Sequence, residues 1–227
     1  MSEIIPIFPI DVVLYPNQKV PLRIFEPRYR QMLDDCMSSN RMFGICILNN
    51  EKTENGWACP VNTGTLVYIL KCEDLDFTGS NYYIEIMGKK RFSIDKLISS
   101  NVKKPDEYFP PNGTSMKQML KQSSGKPLYF QANVTYLDDI KDNVDIKDWK
   151  FLLGKLELRI IDVANKMGIE FENFPDFVIS SGLNFENAEM HDLYTIASMC
   201  SLPIEIQQNI LKSNYSKEIV EILAKEI

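Results

Sequence analysis

Few residues of this sequence could carry acid–base or nucleophilic chemistry. The one histidine, His191, would have to serve any Ser–His or Cys–His pair, and it lies in a stretch with the spacing of an amphipathic helix. Neighbouring carboxylates that could exchange a proton occur at Asp34–Asp35 and Asp138–Asp139. Adjacent acidic residues are usually solvated charges of turns and helix surfaces. The sequence therefore indicates no particular acid–base centre.

Sequence motifs for nucleotide binding and hydrolysis are absent. The chain has no Gly-x-x-x-x-Gly-Lys-Ser/Thr loop, no Gly-x-Gly-x-x-Gly turn, no His-Glu-x-x-His pair and no Gly-x-Ser-x-Gly elbow. Its cysteines, at positions 36, 46, 59, 72 and 200, form no Cys-x-x-Cys pair, the spacing that structural zinc sites usually show. We therefore predict reduced, mostly buried thiols, no metal ion, no cofactor and no enzymatic activity.

The composition is that of an ordinary globular protein. The 227 residues include 44% hydrophobic and 25% charged side chains, enough for a substantial core without disulfides or a metal. The formal net charge of −6 argues against a broad phosphate-binding surface, which needs clustered lysines and arginines. No apolar run reaches the length of a membrane span, about 18 residues, and the N-terminal run carries Glu3 and Asp11 without a basic region. We expect a cytoplasmic protein that does not bind membranes.

The elements that would position these residues begin with short strands. Runs of apolar and β-branched residues, separated by turn residues, predict a barrel or a sandwich. The runs are FGICIL at 43–48, TLVYILKC at 65–72, YYIEIMG at 82–88, RFSIDKLI at 91–98 and PLYFQANVTYL at 127–137. One helix interrupts them from Pro27, where Tyr29, Met32, Leu33 and Cys36 share a face. The first part of the chain is therefore predicted to be β-rich, with one early helix.

The remaining sequence divides into a loop segment and a helical tail. Residues 99–126 are rich in proline and glycine and have no strong period, so we predict an insertion that is mobile or dispensable. Beyond it, after one more strand, the spacing becomes helical, with Asp148 as the expected cap of the first helix and Gly168 at its end. We therefore predict a β-rich domain over residues 1–140 and a helical domain over 141–227.

A resemblance to a known family joins these elements. FPIDVVLYPNQKVPLRIFEPRYRQMLDDCMSSNRMFGICIL (8–48) resembles the start of the N-terminal, substrate-recruiting domain of Lon proteases. Later strands of that domain are similar, in the same order, to TGTLVYIL (63–70), GKKRFSI (88–94) and PLYFQANVTYLDD (127–139). The resemblance covers residues 4–138, and Arg23 stands where that family often has a histidine.

The resemblance implies a fold and a function. The fold would be a PUA-like β pseudo-barrel followed by a small C-terminal helical bundle, an α+β protein. The function would be non-catalytic binding of other proteins or of unfolded polypeptide segments, through their exposed apolar stretches. A separate ATPase–protease is a further partner that the resemblance suggests. Two alternatives stay open: an RNA-binding PUA-like protein, which the acidic net charge disfavours, and a small enzyme of unrecognised type.

The charged and aromatic run before and within the first helix has a structural interpretation. We expect Phe25 and Tyr29 to pack the helix onto the barrel. Glu26 would lie at the helix N-terminus, where the helix dipole favours an acidic side chain, and would pair with Arg23 or Arg30. The run is therefore predicted to be scaffolding, with contact to a ligand as the alternative.

Three side chains form the candidate peptide-binding surface. Because side chains alternate along a strand, Tyr68 points away from the aliphatic side of its strand, and Tyr83 and Met87 point away from Ile84 and Ile86. The aliphatic side should face the core, which leaves the other three on the outer face. Tyrosine offers large contact area at low entropic cost, and methionine adapts to varied partners. We predict a binding surface there if the two strands are neighbours; burial under the helical tail or the loop segment is the alternative.

Overall fold

The structure, a computed structural model, describes residues 3–77, 81–105, 119–140, 142–171 and 173–227. The chain forms two compact units, with the division between Leu137 and Asp138. Over the described ranges the first unit contains the strands, one early helix and a short helical stretch at 119–123, and the regular elements of the second unit are helices. The protein is therefore of the predicted α+β class.

Strands of the first unit form a sheet that closes on itself. Among the described residues there are six: β1 (Glu3–Pro9), β2 (Lys19–Ile24), β3 (Met42–Glu54), β4 (Trp57–Asp74), β5 (Tyr82–Ile98) and β6 (Phe130–Tyr136). Their order is β2–β5–β4–β3–β1–β6, and β6 also pairs with the second half of β5. This second pairing joins β5, β4, β3, β1 and β6 into a ring, while β2 extends the first half of β5. The ring is the pseudo-barrel that the resemblance implied.

The helix α1, Pro27–Met37, packs against the sheet as its spacing predicts. Tyr29 and Leu33 are at most 3% exposed and share an apolar cluster with Phe43 on β3 and Ile84 on β5. A proline is tolerated in the first turn because its missing N–H would have no helical partner there. A helix of 11 residues is marginal in water on its own, so burial of this face is what stabilises it.

The prediction that Phe25 packs this helix onto the barrel is wrong. Phe25 is 41% exposed, whereas Ile24, which ends β2, is 1% exposed. Because successive side chains of an extended chain point to opposite sides, burial of Ile24 turns Phe25 outward. Glu26 follows as the N-cap residue of α1, in an extended conformation.

Both described ends of the loop segment 99–126 pack against the sheet, which the expectation of a mobile loop did not include, and its dispensability stays a prediction. Val102 and Met119 are fully buried, in a cluster that includes Trp57. The Nε1–H of Trp57 donates a hydrogen bond to the carbonyl oxygen of Val102, 2.8 Å away. Residues 106–118 of the segment lie outside the described residues. Isolated apolar residues at the ends of a segment produce no sequence period, which is why the pattern did not reveal them.

The second unit begins with a long, well-capped helix. In the described residues its helices are α2 (Ile146–Met167), α3 (Phe174–Ser180), α4 (Met190–Met199), α5 (Ile204–Lys212) and α6 (Ser216–Glu226). The cap of α2 is Asp145, whose carboxylate accepts hydrogen bonds from the backbone N–H groups of Lys147 and Asp148. Asp148 therefore lies in the first turn and is not the cap that the sequence suggested. Gly168 ends the helix with φ at 68°, as predicted.

Two basic residues of α2 bind the C-terminal ends of later helices. The Arg159 guanidinium donates hydrogen bonds to the carbonyl oxygens of Glu226, at 3.0 Å, and Cys200, at 2.9 Å. The Lys155 ammonium donates to the carbonyl oxygen of Ala224. Cations at these positions satisfy carbonyls that have no helical partner and oppose the helix dipole.

Across the described ranges, no helix is both long and apolar enough to cross a membrane.

Candidate functional site

The candidate residues Tyr68 and Met87 lie directly opposite each other on neighbouring strands. β4 and β5 are antiparallel partners, and their register pairs these two residues. Ile69 and Ile86, next to them on the same strands, are fully buried in the core cluster that contains α1. Alternation therefore places Tyr68 and Met87 on the outer face of the sheet, where both are half-buried.

The pairing extends into a row of four side chains across four strands. Met42 on β3 is the register partner of Tyr68, and Lys19 on β2 is the register partner of Met87. We call Lys19, Met87, Tyr68 and Met42 the Tyr68 row. Directly opposed side chains on one face lie about 4.5–5.5 Å apart at Cβ, so these four form one continuous strip. Sequence analysis missed Met42 and Lys19, because their place in the row depends on strand register.

Tyr83, the third candidate, belongs to a different part of the same face. Its register partners are Arg23 on β2 and Glu73 on β4. It lies four residues before Met87 on β5, which is about 13 Å at 3.3 Å per residue. Tyr83 is half-buried as well. The face therefore carries an apolar end at the Tyr68 row and a charged end around Tyr83.

Charges are distributed unevenly over this face. The Tyr68 ring has two cations beside it, with the guanidinium carbon of Arg41 5.7 Å and the ammonium of Lys89 5.9 Å from the ring centroid. Both distances are within the range of cation–π attraction. At the other end, Lys71 forms a salt bridge of 2.7 Å with Glu73, and this hydrogen bond raises the pKa of the Lys71 ammonium.

A close backbone approach fixes the strand that carries Lys19. The N–H of Gly88 donates to the carbonyl oxygen of Gln18, and the N–H of Asn17 donates to the carbonyl oxygen of Gly88, both at 2.9 Å. A Cβ on Gly88 would lie 2.2 Å from the carbonyl oxygen of Tyr15. Only glycine therefore allows the turn before β2 to sit this close to β5.

Within the charged run around α1, Arg28 makes packing contacts inside the first unit. The guanidinium of Arg28 lies 3.9 Å from the centroid of the Trp57 ring and 4.2 Å from that of Tyr29. Its Nε also lies 3.1 Å from a carboxylate oxygen of Glu26. The sequence suggested Arg23 or Arg30 for this carboxylate, and the ion pair observed is with Arg28. This cluster joins the start of α1 to the start of β4.

The single histidine lies at a helix N-terminus, where its neighbours serve the cap. His191 nitrogens lie 3.4 Å from a carboxylate oxygen of Glu189 and 3.5 Å from one of Asp192. Glu189 and Asp192 form a capping box, in which each carboxylate accepts from the other residue's backbone N–H. In the parts of the chain that the structure describes, no group of three or more His, Cys, Asp or Glu side chains could hold a metal ion.

The cysteines are free and mostly enclosed. Cys36, Cys46, Cys59 and Cys200 are buried, and Cys72 is half-buried. Burial raises the pKa of the Cys36 thiol to about 12, with a smaller contribution from Asp35. A thiol with so high a pKa stays protonated at neutral pH and is a poor nucleophile.

The whole chain matches a known family model. The model for the ATP-dependent protease La (LON) substrate-binding domain covers residues 4–225. This chain belongs to the Lon substrate-binding domain family. The match reaches beyond residue 138, so it includes the helical second unit, which the sequence motifs alone did not cover. It concerns the substrate-binding domain and not the protease domain of Lon.

Lon proteases are also the relatives found by sequence. The chain is 29% identical over 237 residues to the Lon protease of Syntrophus aciditrophicus (strain SB) and 20% identical over 221 residues to that of Dictyoglomus thermophilum. These matches cover 99% and 96% of this chain but 27% and 23% of the relatives. The chain thus spans about a quarter of the length of the curated relatives it matches.

Solved Lon domains share the fold. The Lon N-terminal domain protein from Xanthomonas campestris has a TM-score of 0.64 at 16% identity, over 98% of both chains. The N-terminal domain of the Mycobacterium avium complex Lon protease has a TM-score of 0.62 at 14% identity, over 99% of this chain and 97% of that one. The pseudo-barrel and helical unit described above are therefore the Lon N-terminal domain fold.

Proposed function

We propose that this Lon domain is a non-catalytic module that binds exposed apolar segments of other polypeptides. Its family is defined by substrate binding, and the substrates of a protease of this kind are proteins. An unfolded or misfolded chain differs from a folded one chiefly in its exposed apolar surface. A module that selects such chains needs an accessible surface that can bury apolar side chains of many shapes.

The Tyr68 row is the observation that carries this proposal. Beyond Lys19 it consists of two methionines and one tyrosine, all half-buried, where the outer face of a sheet ordinarily carries polar side chains. Met42, at the end of the row, also packs against the core cluster that contains Trp57. Methionine side chains repack around varied partners, and tyrosine gives a large contact at low entropic cost. Tyr68, Met87 and Met42 would form the floor of the contact, and Tyr83 its far end.

Contact through side chains is favoured over addition of a strand to the sheet. Among the described strands β2 lies at the end of the sheet and pairs with β5 alone, and it carries Pro21 between exposed Lys19 and Arg23. A proline offers no N–H to an incoming strand, and lysines and prolines are the residues with which proteins block such edges. A bound segment would therefore lie across the outer face and not along β2.

We propose a cytosolic setting for the module. We place the module in the cytosol, since its five cysteines are free, and cytosolic proteins keep their thiols reduced. The proposed partner is a separate ATPase–protease that would degrade what the module binds, because the family is that of the ATP-dependent protease La (LON) substrate-binding domain. Co-purification of such a protease with the protein from its native source checks this placement.

Substitution of Tyr68 tests the proposed surface. In Tyr68→Ser, affinity for a labelled peptide with a Leu- and Phe-rich centre should fall about tenfold, as expected when a contact residue loses its ring. The matched control is Tyr215→Ser, which removes a ring that is 61% exposed in the second unit and should leave affinity unchanged. Fluorescence anisotropy measures the affinity, and thermal unfolding checks that both variants stay folded. Equal affinity for the wild type and a folded Tyr68→Ser variant would remove the Tyr68 row from the proposal.

A further inference from the structure

Three cations surround the apolar centre of the Tyr68 row. Lys19 ends the row on β2, where it is directly opposite Met87. Lys89 and Arg41 approach the Tyr68 ring at 5.9 Å and 5.7 Å from its centroid. Lys19 and Lys89 are exposed, so their ammonium groups can reach a bound molecule.

This local charge is opposite to that of the whole chain. The formal net charge is −6, yet the side chains beside Tyr68 are basic. The Tyr83 end of the face carries both signs, with Lys71 and Glu73 joined in a salt bridge of 2.7 Å. The electrostatic potential is therefore positive around the Tyr68 row, whereas acidic side chains offset the basic ones at the Tyr83 end.

Strand pairing fixes the backbone positions of Lys19 and Lys89 before anything binds. Lys89 is the extra residue of a β-bulge in β5, because the register passes from Gly88 opposite Val67 to Lys90 opposite Leu66. Lys19 follows the turn that is fixed against Gly88 by two hydrogen bonds of 2.9 Å. Cations on a rigid frame lose less entropy on binding than cations on a mobile loop.

We propose that the segments bound by this face carry acidic residues beside their apolar core. The inference rests on the proposed function and refines its substrate class. The apolar core would lie on Tyr68 and Met87, and flanking carboxylates would reach Lys19 and Lys89. Exposed pairs of this kind add little affinity each, but they steer encounter and select one charge pattern over another.

A nucleic acid fits the same surface less well. Glu85 and Glu73 lie on the same face, at strand positions between and beside the candidate residues, and a continuous phosphate chain would have to pass them. Nucleic-acid surfaces need many clustered cations, since affinity grows with the number of phosphates neutralised. Three cations around an apolar centre match a short acidic flank better than a polyanion.

Two peptides with the same Leu- and Phe-rich centre test this inference. One has glutamates on both sides of the centre, and the other has glutamines at the same positions. The glutamate peptide should bind the wild-type protein about fivefold more tightly at low ionic strength. The advantage should shrink as salt is added, because screening weakens attraction between exposed charges.

Charge reversal on the protein identifies the cations responsible. In Lys19→Glu/Lys89→Glu, the advantage of the glutamate peptide should disappear or reverse, because this peptide should lose several times more affinity than the glutamine peptide does. Lys52→Glu is the matched control, since Lys52 is also exposed and lies ten residues along β3 from Met42, outside the Tyr68 row. The Lys52→Glu variant should still bind the glutamate peptide more tightly than the glutamine peptide.

The outcomes distinguish a failure of the acidic preference from a failure of the proposed peptide binding. Equal binding of the two peptides, or an advantage that survives the double charge reversal, overturns the acidic preference and leaves the proposed function standing. Failure of both peptides to bind overturns the proposed function itself. Tighter binding of a single-stranded RNA oligonucleotide than of the glutamate peptide would reassign the surface to nucleic acid.

Discussion

Arg28 serves as a packing residue despite its charge. Its guanidinium is stacked against the rings of Trp57 and Tyr29, its Nε pairs with Glu26, and its side chain is only 11% exposed. Planar guanidinium groups stack on aromatic rings in a way that an ammonium group cannot. The arginine therefore stabilises the first unit, and its charge needs no ligand to explain it.

Replacing Arg28 should cost stability. We expect Arg28→Ala to lower the free energy of unfolding by about 2 kcal/mol, because it removes two ring contacts and leaves the Glu26 carboxylate without this cation. Arg28→Lys should recover only part of the loss. The control Arg23→Ala removes an exposed arginine and should stay within about 0.5 kcal/mol of the wild type. Urea unfolding measures all three, and an Arg28→Ala variant as stable as Arg23→Ala would show that the stacking contributes nothing.

β5 is the element on which the candidate face depends. Its first half pairs with β2 and β4, its second half pairs with β4 and β6, and the bulge after Gly88 lies between the halves. Because an extra residue bends and twists the strand, the bulge allows the first half of β5 to pair with β2 and the second half to pair with β6.

Two glycines provide a paired test of this description. A Cβ at Gly88 would lie 2.2 Å from a backbone oxygen, whereas nothing lies within 4 Å of one at Gly154 in α2. Gly88→Ala should therefore destabilise the protein by about 1–3 kcal/mol, the cost of forcing extra atoms into a packed site. Gly154→Ala should stabilise α2 by about 0.5–1 kcal/mol, because alanine loses less backbone entropy in a helix. Thermal unfolding followed by circular dichroism should show opposite shifts, and shifts of the same sign would contradict the description.

Local patterns predicted the elements better than their partners. The spacing of Tyr29 and Leu33 predicted α1, and the buried positions of Ile84 and Ile86 follow the alternation seen in the sequence. The pairing of β5 with β6, which closes the ring, is non-local and leaves no trace in either strand's own pattern. The same limit explains the candidate face: Tyr68, Tyr83 and Met87 could be placed outward from alternation, but the row that joins Tyr68 to Met42 and Lys19 required the register.

As a whole, the protein combines an acidic chain with a basic, apolar strip on one face of its first unit. The net charge of −6 predicts a low general affinity for nucleic acid, since counterion release scales with the cations that a surface presents. The family match over residues 4–225 shows that both units belong to one substrate-binding domain. We predict that polypeptide segments bind to this domain at the Tyr68 row.

Methionine methyl resonances test directly whether peptides bind at the Tyr68 row. The chain has 10 methionines, of which Met42 and Met87 lie in the Tyr68 row, while Met167, 68% exposed, and Met199, 37% exposed, lie in the second unit. In protein labelled at methionine methyl groups, titration with the glutamate peptide should shift the Met42 and Met87 signals in proportion to occupancy. The signals of Met167 and Met199 should stay in place. Saturable binding that moves Met167 or Met199 and leaves Met42 and Met87 unshifted would contradict the account.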